Sequence, residues 1–227
     1  MPSENMFETD TFQTTKGPLV ITFIGHGSLM LKWNGMILHV DPFGRQADYG
    51  LLPKADIILL THEHGDHMDM SVLNKIVSAD TQMVYTRRCE QQAPGGIVMK
   101  NGDKKVIRDI LVEAVPAYNL VHARENGEVF HPKGEGNGYV LTLGDLRVYI
   151  GGDTEDIPEM SELKDIDIAF LPMNLPYTMT PEMTTRAALS FKPRILYPYH
   201  YGRTTTSKLV KLLKPEKDIE VRIRKLG

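Results

Sequence analysis

The chain of 227 residues is long enough to bury a sizeable core, and 41% of its residues are apolar. Its net charge of −3 and its single cysteine argue against a general nucleic-acid surface, a disulfide framework and a cysteine-based zinc site. No apolar stretch exceeds the length of a strand, and the start lacks a basic-then-apolar leader pattern. We therefore expect a cytoplasmic protein without a membrane segment, with a polar tail over residues 1–16 and one domain over residues 17–227.

Short apolar runs predict several strands in the first half of the chain. The runs are LVITFI (19–24), SLMLKW (28–33), MILHVD (36–41) and ADIILLT (55–61). Between the second and third runs, Asn34-Gly35 predicts a tight hairpin. Further on, Asp69 can cap a helix whose apolar positions, beginning with Met70, fall on one face.

The second half alternates strands with a few helices. The runs QMVYT, ILVEAVPAY, GYVLTLG and LRVYIGGD predict strands, and DIDIAFLP, RILYPYH and DIEVRI predict three more near the end. Helices are expected from Thr180 or Pro181 to about Ser190, and again around residues 207–213. Residues 119–137 form the longest predicted loop, and such loops often carry function.

The two halves resemble each other in one respect. In the first half a strand ends at Asp41 and the next strand delivers His62, whereas in the second half LRVYIGGD ends at Asp153 and DIDIAFLP follows at a similar offset. The pattern predicts a pseudo-twofold pair of sheets, with acidic and imidazole groups meeting at strand ends. The match is short, so chance similarity between two strand pairs is the alternative.

The stretch LLTHEHGDHMD places three of the eight histidines beside a carboxylate, directly after a predicted buried strand. The imidazoles of His62 and His64 can point the same way, and Asp66 and His67 follow a glycine that lets the chain turn. Neutral imidazole and carboxylate are suitable ligands for zinc, manganese or iron. The spacing favours a site for one or two divalent metals per chain over a surface histidine cluster, with zinc or manganese preferred and iron a further option.

The motif THEHGDH resembles the His-x-His-x-Asp-His motif of the metallo-β-lactamase superfamily. Other landmarks follow in that family's order, namely Asp41 in HVDPFG, Asp153 in YIGGDT and His200 in YPYHYG. The pieces IGHGS, GDT, DIAFLP and PYHYG are similar to the small metal-dependent hydrolases related to L-ascorbate-6-phosphate lactonase and N-acyl-phosphatidylethanolamine phospholipase D. The resemblance implies an α/β fold, a four-layer αββα sandwich of two mixed sheets with helices on the outer faces.

The resemblance also implies a role for each site residue. It assigns His62 and His64 to one metal, Asp66, His67 and His200 to a second metal, and Asp153 to a bridge between the two metals. Asp41 would stand behind the site and orient a ligand, and it can also serve as a turn residue before Pro42.

The third histidine that the family usually supplies to the first metal is missing from its expected place. The strand ILVEAVPAY leads instead to Asn119, whose carbonyl oxygen is a weaker ligand than imidazole. His122 and His131 lie nearby in the long loop. We favour His131, because it precedes a glycine-rich return into a strand, and the three candidates remain open at this point.

The predicted chemistry is hydrolysis. With two metals, a water held between them would become the nucleophile, and Asp66 would orient the attack and relay a proton to the leaving group. His26 in IGHGS is a candidate for substrate contact or proton transfer, and equally for satisfying loop backbone groups. GHGS lacks the second flanking glycine of a serine nucleophile elbow.

We therefore expect a metal-dependent hydrolase that acts on a small ester, lactone or phosphoester. One alternative is a metal-dependent nuclease or phosphodiesterase, but the acidic balance and the lack of a large clamping insertion argue against nucleic acid as a partner. The other is a catalytically weakened metal-binding protein, which Asn119 would favour. The expected partner is a small-molecule substrate, and the family leaves a homo-oligomer open.

Overall fold

The computed structural model describes residues 7–227. Within that range, no helix combines the length and the apolar character that a membrane crossing requires. The strands of these residues form two sheets of seven strands each.

The first sheet contains the strands of the N-terminal half in chain order. Its first four strands pair antiparallel, and the strands from β4 to β7 pair in parallel. The strands are β1 (Glu8–Thr14), β2 (Gly17–Gly25), β3 (Ser28–Trp33), β4 (Met36–Val40), β5 (Ile57–Leu59), β6 (Gln82–Tyr85) and β7 (Ile97–Val98).

The second sheet repeats this topology. The strands from β8 to β11 pair antiparallel, and the strands from β11 to β14 pair in parallel. The predicted duplication of architecture is thereby confirmed, and Asp41 and Asp153 follow the equivalent strands β4 and β11. The strands are β8 (Lys104–Ile107), β9 (Ile110–Ala117), β10 (Gly136–Leu143), β11 (Leu146–Ile150), β12 (Ile168–Pro172), β13 (Ile195–Tyr199) and β14 (Glu220–Val221).

The main core lies between the two sheets, where Leu31 and Trp33 of the first sheet and Leu141 and Phe170 of the second belong to one buried cluster. Separate apolar clusters cover the two outer faces. The helices pack there: α1 (Met70–Ile76) and α2 (Arg87–Gln92) on the first sheet, α3 (Pro181–Phe191) and α4 (Thr206–Leu213) on the second. This arrangement confirms the predicted four-layer αββα sandwich of two mixed sheets.

Local sequence signals account for several element boundaries. Asn34 and Gly35 have φ values of 48° and 77°, as a tight hairpin between β3 and β4 requires. Asp69 caps α1 by accepting a hydrogen bond from the backbone N–H of Ser71, and Thr180 caps α3 through the N–H of Met183. The predicted hairpin, the predicted cap at Asp69 and the predicted start of a helix at Thr180 or Pro181 are confirmed.

The structure differs from the predicted polar tail at residues 8–14, whereas residues 1–6 lie outside the described part of the chain. The segment Glu8–Thr14 is β1, and all seven of its residues are in register with β2. Asp10 explains this placement, because its carboxylate accepts hydrogen bonds from Arg224 at 2.7 Å and from the Tyr197 hydroxyl on the second sheet. A polar strand is thus held by charge pairing between the sheets, which a search for apolar runs does not detect.

Two predicted strands are shorter than expected. The run ADIILLT is a strand only over Ile57–Leu59, because the N–H of Thr61 turns out of the ladder and donates to the Asp41 carboxylate at 2.8 Å. DIEVRI pairs only over Glu220–Val221, after which Arg222 and Arg224 turn toward Asp10.

Candidate metal centre

The candidate site lies where the strands of both sheets end, at one edge of the sandwich. Loops after β2, β4, β5, β11 and β13 converge there, and the loop before β10 folds over them. Eight of the predicted site residues come together at this edge: His26, His62, His64, Asp66, His67, His131, Asp153 and His200.

A first ligand group consists of His62, His64 and His131, each of which offers a ring nitrogen within 4.8 Å of the others. The first two follow β5, and His131 comes from the long loop before β10. One carboxylate oxygen of Asp153, Oδ2, lies 3.2 Å from His131 Nε2 and 4.0 Å from His62 Nε2. The three imidazoles therefore lie together, with one carboxylate oxygen beside two of them.

A second ligand group consists of Asp66, His67 and His200, with His26 beside them. The other carboxylate oxygen of Asp153, Oδ1, lies 3.4 Å from His67 Nε2 and 3.5 Å from His200 Nε2. Asp66 Oδ2 lies 3.6 Å from His200 Nε2 and 3.9 Å from His67 Nε2. Asp153 thus stands between the two groups, with one oxygen directed to each.

The atoms that could bind a metal at this junction are buried, and within residues 7–227 they have no hydrogen-bond partners. They include Nε2 of His62, His67 and His200, and Oδ1 of Asp153. A buried polar atom without a partner is costly, typically about 1–3 kcal/mol, so four of them facing one another require an explanation. Divalent cations would satisfy these atoms, and the mixture of imidazole and carboxylate suits borderline metals such as zinc and manganese. The residues present therefore fit a metal centre.

Asp41 lies behind both ligand groups and is fully buried. Its Oδ2 accepts hydrogen bonds from His67 Nδ1 at 2.9 Å and from the Thr61 hydroxyl at 2.6 Å. Because that hydroxyl donates to Asp41, its oxygen can accept from His62 Nδ1, 3.0 Å away. Both imidazoles therefore hold a proton on Nδ1 and direct Nε2 inward, as expected for ligands oriented from an outer shell.

Thr61 was not among the predicted site residues. Its position directly before His62 in LLTHEHGDH is the signal that could have identified it.

The structure separates the three candidates for completing the first group. His131 belongs to it, whereas His122 turns away and places Nδ1 2.7 Å from a carboxylate oxygen of Glu155. Asn119 stands behind His131, because its Oδ1 lies 2.9 Å from the backbone N and 2.6 Å from Nδ1 of that residue. With the Asn119 oxygen engaged in this way, its placement does not support the prediction that it is itself a ligand.

At the junction, the aspartates and histidines stabilise the charged forms of Asp153 and His67. Burial alone would raise the pKa of Asp153, but the neighbouring His200, His67 and His131 hold it well below its usual value. Burial likewise would lower the pKa of His67, yet Asp153 and Asp41 raise it to about 9. The site without a cation therefore holds a proton on His67 that a metal would have to displace.

The pKa values of His62 and His26 are lowered, in contrast to that of His67. Burial is the main cause that lowers the pKa of His62 well below its usual range, helped by the positive charge of His67. Burial also lowers the pKa of His26, although its hydrogen bond to Asp66 opposes the change. Both rings are therefore neutral at pH 7. Neutral His26 can donate from Nε2 to Asp66 Oδ2 over 3.0 Å, which fixes the carboxylate at the edge of the site.

Three residues of the site have left-handed backbone conformations that residues other than glycine rarely adopt. The φ values are 55° for His26, 42° for Asp41 and 46° for His200. Such conformations cost roughly 1–3 kcal/mol each and cluster at functional sites. Nearby, a Cβ on Gly27 would lie 3.1 Å from the His67 ring, so a side chain at this position would have to displace that ring by a few tenths of an ångström.

An open cleft leads to the junction. One part, of about 390 Å³, is lined by Arg124, Phe130 and Tyr177 together with residues of both ligand groups. An adjoining part, of about 510 Å³, is lined by Phe43 and Arg45 beside His26 and Asp66. The Arg124 guanidinium lies 5.0 Å from the centre of the Phe130 ring, and that of Arg45 lies 5.9 Å from the Phe43 ring.

Comparisons with known proteins agree with this geometry. The profile of the beta-lactamase superfamily domain matches residues 20–200. A UPF0173 metal-dependent hydrolase of Thermococcus onnurineus is 31% identical over 195 residues, which cover 80% of this chain and 84% of the relative.

Two solved structures are similar to the chain over almost its whole length. A crystal structure from Parabacteroides distasonis, of a protein named as a candidate metal-dependent hydrolase, has 50% identity and a TM-score of 0.93, covering 97% of this chain and all of the other. A metallo hydrolase of Ignicoccus hospitalis has 21% identity and a TM-score of 0.75, covering 92% and 96%, and shows the fold alone. The chain belongs to the metallo-β-lactamase superfamily, with relatives among the UPF0173 metal-dependent hydrolases.

Proposed function

We propose that the protein is a hydrolase whose two ligand groups hold two divalent cations, zinc or manganese, with Asp153 between them. The observation that carries the proposal is a set of buried atoms without hydrogen-bond partners in the described part of the chain. They are Nε2 of His62, His67 and His200 and Oδ1 of Asp153, which all face one junction. The names of the relatives, metal-dependent hydrolases, support the same reaction class.

The first cation would be held by His62, His64 and His131, and the second by Asp66, His67 and His200. Cations bound there would polarise the carbonyl or phosphoryl group of a substrate and lower the pKa of an attacking water. The substrate would be a small ester, lactone or phosphoester.

Asp66 and His26 are the residues best placed to handle protons. The side chain of Asp66 is 39% exposed and reaches both parts of the cleft, so it can accept a proton from water and pass it to a leaving group. His26 holds the carboxylate of Asp66 in place through the 3.0 Å hydrogen bond.

The cleft favours a substrate that carries an anionic group. Arg124 lines one part of the cleft and Arg45 the adjoining part, and neither guanidinium forms an ion pair with a carboxylate of the described residues. A planar guanidinium is well suited to bind carboxylate or phosphate. The rings of Phe130 and Tyr177 would provide an apolar wall on one side.

The first test is the metal content of purified, untagged protein, measured by elemental analysis for the wild type, His131→Ala and His122→Ala. We expect two metals per chain in the wild type and in His122→Ala, and about one in His131→Ala. One metal in all three proteins would contradict the two-cation site. The loaded wild type is then assayed against ester, lactone and phosphoester panels, and no hydrolysis in any of them would contradict the proposed reaction.

A further inference from the structure

Glu155 is a buried carboxylate that belongs to neither ligand group. It follows Asp153 by two residues, and its side chain is fully enclosed. Its Oε2 accepts hydrogen bonds from the backbone N–H groups of Leu120 and Val121, both at 2.7 Å. Its Oε1 accepts from the backbone and from Nδ1 of His122, both at 2.7 Å, and from Asn119 Nδ2 at 3.0 Å.

Both oxygens of Glu155 face groups that can only donate. The backbone N–H groups of residues 120–122 point at Oε1 and Oε2, so the carboxylate acts as the acceptor in each of these contacts. The group of Asn119 that faces Oε1 at 3.0 Å must therefore be the amide nitrogen, which donates.

The orientation of the Asn119 amide is therefore determined. Its Nδ2 lies between two groups that can only accept, Glu155 Oε1 at 3.0 Å and the backbone carbonyl of Tyr177 at 2.9 Å. Its Oδ1 must then face His131, where it accepts from the backbone N–H at 2.9 Å and from Nδ1 at 2.6 Å.

This orientation decides which nitrogen of His131 is available to a metal. Because Asn119 Oδ1 can only accept, His131 must carry a proton on Nδ1. The Nε2 atom, which lies 3.2 Å from Asp153 Oδ2 at the junction, is then the nitrogen whose lone pair is available to a cation. Free histidine prefers the opposite neutral tautomer, with the proton on Nε2, so the surroundings have to impose this state.

We infer that Glu155 and Asn119 are positioning residues, which act in series to keep the proton of His131 on Nδ1 and so complete the first ligand group. The inference rests on the proposed metal centre. Glu155 sets the direction of the Asn119 amide, and the amide sets the tautomer of His131. An amide between a carboxylate and a metal-ligating histidine thus takes the place of the direct contact that Asp41 makes with His67.

The chain geometry couples this network to the bridging position. Asp153, Thr154 and Glu155 are consecutive, and the last two are bound to Tyr118, the residue before Asn119. The Tyr118 carbonyl accepts from the backbone N–H of Glu155 at 2.9 Å, and the Tyr118 N–H donates to the Thr154 hydroxyl at 3.2 Å. The loop after β11 therefore supplies the carboxylate between the ligand groups directly and orients the third histidine indirectly.

The decisive experiment compares two replacements of Asn119. Asn119→Leu has a similar size but no acceptor, whereas Asn119→Asp keeps an oxygen at His131 Nδ1 and can share a proton with Glu155, since two carboxylates this close do not both ionise. Long-range ¹H–¹⁵N NMR of the metal-free proteins reports whether Nδ1 of His131 is protonated. We expect this proton in the wild type and in Asn119→Asp, and its loss from Nδ1 in Asn119→Leu.

Zinc binding provides the second readout. Competition titration of metal-free protein with Zn²⁺ and a chromophoric chelator yields two dissociation constants, and His131→Ala identifies the one that depends on the first group. We expect Asn119→Leu to weaken that step by roughly 10–100-fold. Asn119→Asp should restore most of it. Glu155→Gln should weaken the same step less than Asn119→Leu does, because glutamine keeps one acceptor but loses the charge.

His122→Ala is the matched control for Glu155. It removes one donor to the same carboxylate oxygen without touching Asn119, so both zinc constants should stay at the wild-type values. A folded Asn119→Leu variant that keeps the Nδ1 proton and binds both zinc ions normally would overturn the inference. So would a folded Asn119→Asp variant as weak as Asn119→Leu, or an unchanged first-group constant in Glu155→Gln.

The two proposals fail in different ways. If the wild type binds no zinc, the proposed metal centre is wrong, and the NMR comparison still decides whether Asn119 sets the proton of His131. If the wild type binds two zinc ions but hydrolyses none of the substrate panels, the reaction is wrong and the positioning role stands.

Discussion

Replacing Asp41 by asparagine tests how the buried carboxylate behind the site acts on the proposed metal ligands. Its two oxygens accept three hydrogen bonds: from the backbone N–H of Thr61 at 2.8 Å, from the Thr61 hydroxyl at 2.6 Å, and from His67 Nδ1 at 2.9 Å. Asparagine fits the same space and can keep its oxygen toward the Thr61 N–H. Its NH₂ group then faces His67 Nδ1.

That NH₂ group can only donate, so His67 Nδ1 has to become an acceptor. The proton of neutral His67 moves to Nε2, the atom that faces Asp153 Oδ1 at 3.4 Å and would bind the second cation. We expect zinc affinity at the second ligand group to fall by about 10–100-fold, which corresponds to roughly 1.4–2.7 kcal/mol.

Asp41→Ala separates this effect from a loss of stability. Alanine leaves all three donors buried without an acceptor, which should lower the free energy of unfolding by about 3 kcal/mol or more, at roughly 1–3 kcal/mol for each donor. Asp41→Asn keeps part of these contacts and should be the more stable of the two variants. Without a donor facing Nδ1, however, His67 in Asp41→Ala can still present Nε2 to zinc. We therefore expect Asp41→Asn to be the more stable variant and yet to bind the second zinc no better than Asp41→Ala.

Chelator competition measures the zinc constants, and urea unfolding of the metal-free proteins measures stability. Asp56→Asn is the matched control, since this carboxylate accepts a backbone N–H from Ile37 at 2.8 Å at the far end of β5. Zinc affinity in Asp41→Asn within about threefold of the wild type would refute the tautomer argument, as would affinities that simply follow the stabilities.

Three further variants test the fold. Burial lowers the pKa of His39 from its ordinary 6.5 to about 4, although its hydrogen bond to the Pro53 carbonyl opposes the shift. The contribution of neutral His39 to the free energy of unfolding is therefore complete above pH 6.5 and is lost as the pH falls toward 4. The loss is roughly 3 kcal/mol in all and about 1.4 kcal/mol at pH 5.5. The free energy of unfolding of His39→Gln, measured in urea, should therefore depend less on pH than that of the wild type. In Gly138→Ala the new Cβ would lie 2.9 Å from the backbone oxygen of Gly151, and a loss of about 1–3 kcal/mol in unfolding free energy is expected from this overpacking. Asp10→Asn should cost about 1–3 kcal/mol by the same measurement, because it removes the charge that the arginines and the tyrosine near the C-terminus bind.

Each of these three predictions has a measurement or a control variant that can contradict it. An identical loss of stability between pH 7.5 and 5.5 in His39→Gln and the wild type would show that His39 is not the titrating group. Gly65→Ala places a methyl group where no atom of residues 7–227 lies within 4 Å, so a loss as large as that of Gly138→Ala would show that overpacking is not the cause of the loss. Asp109→Asn changes an exposed carboxylate, and an equal effect there would mean that Asp10 acts only through net charge.

The sequence by itself determined the fold class and the position of most candidate ligands. Apolar runs of strand length, the hairpin at Asn34-Gly35 and the cap at Asp69 are local signals, and they predicted elements that the structure contains. The histidine cluster after β5 is equally local, because residues two to five positions apart at the end of one strand cannot separate far in space. The repeated pattern at Asp41 and Asp153 predicted a pseudo-twofold pair of sheets, and the two sheets have the same order of strand pairing.

Only the tertiary structure decided how the first ligand group is completed. His131 and Asn119 are twelve residues apart in a loop, and their contact depends on Glu155, a residue from a different strand end. Likewise, β1 has too few apolar residues to predict a strand, and it is held by Asp10 pairing with arginines more than two hundred positions away. Hydrogen bonds and ion pairs between distant segments leave no periodic trace in a sequence, because each requires only one suitable residue at each end.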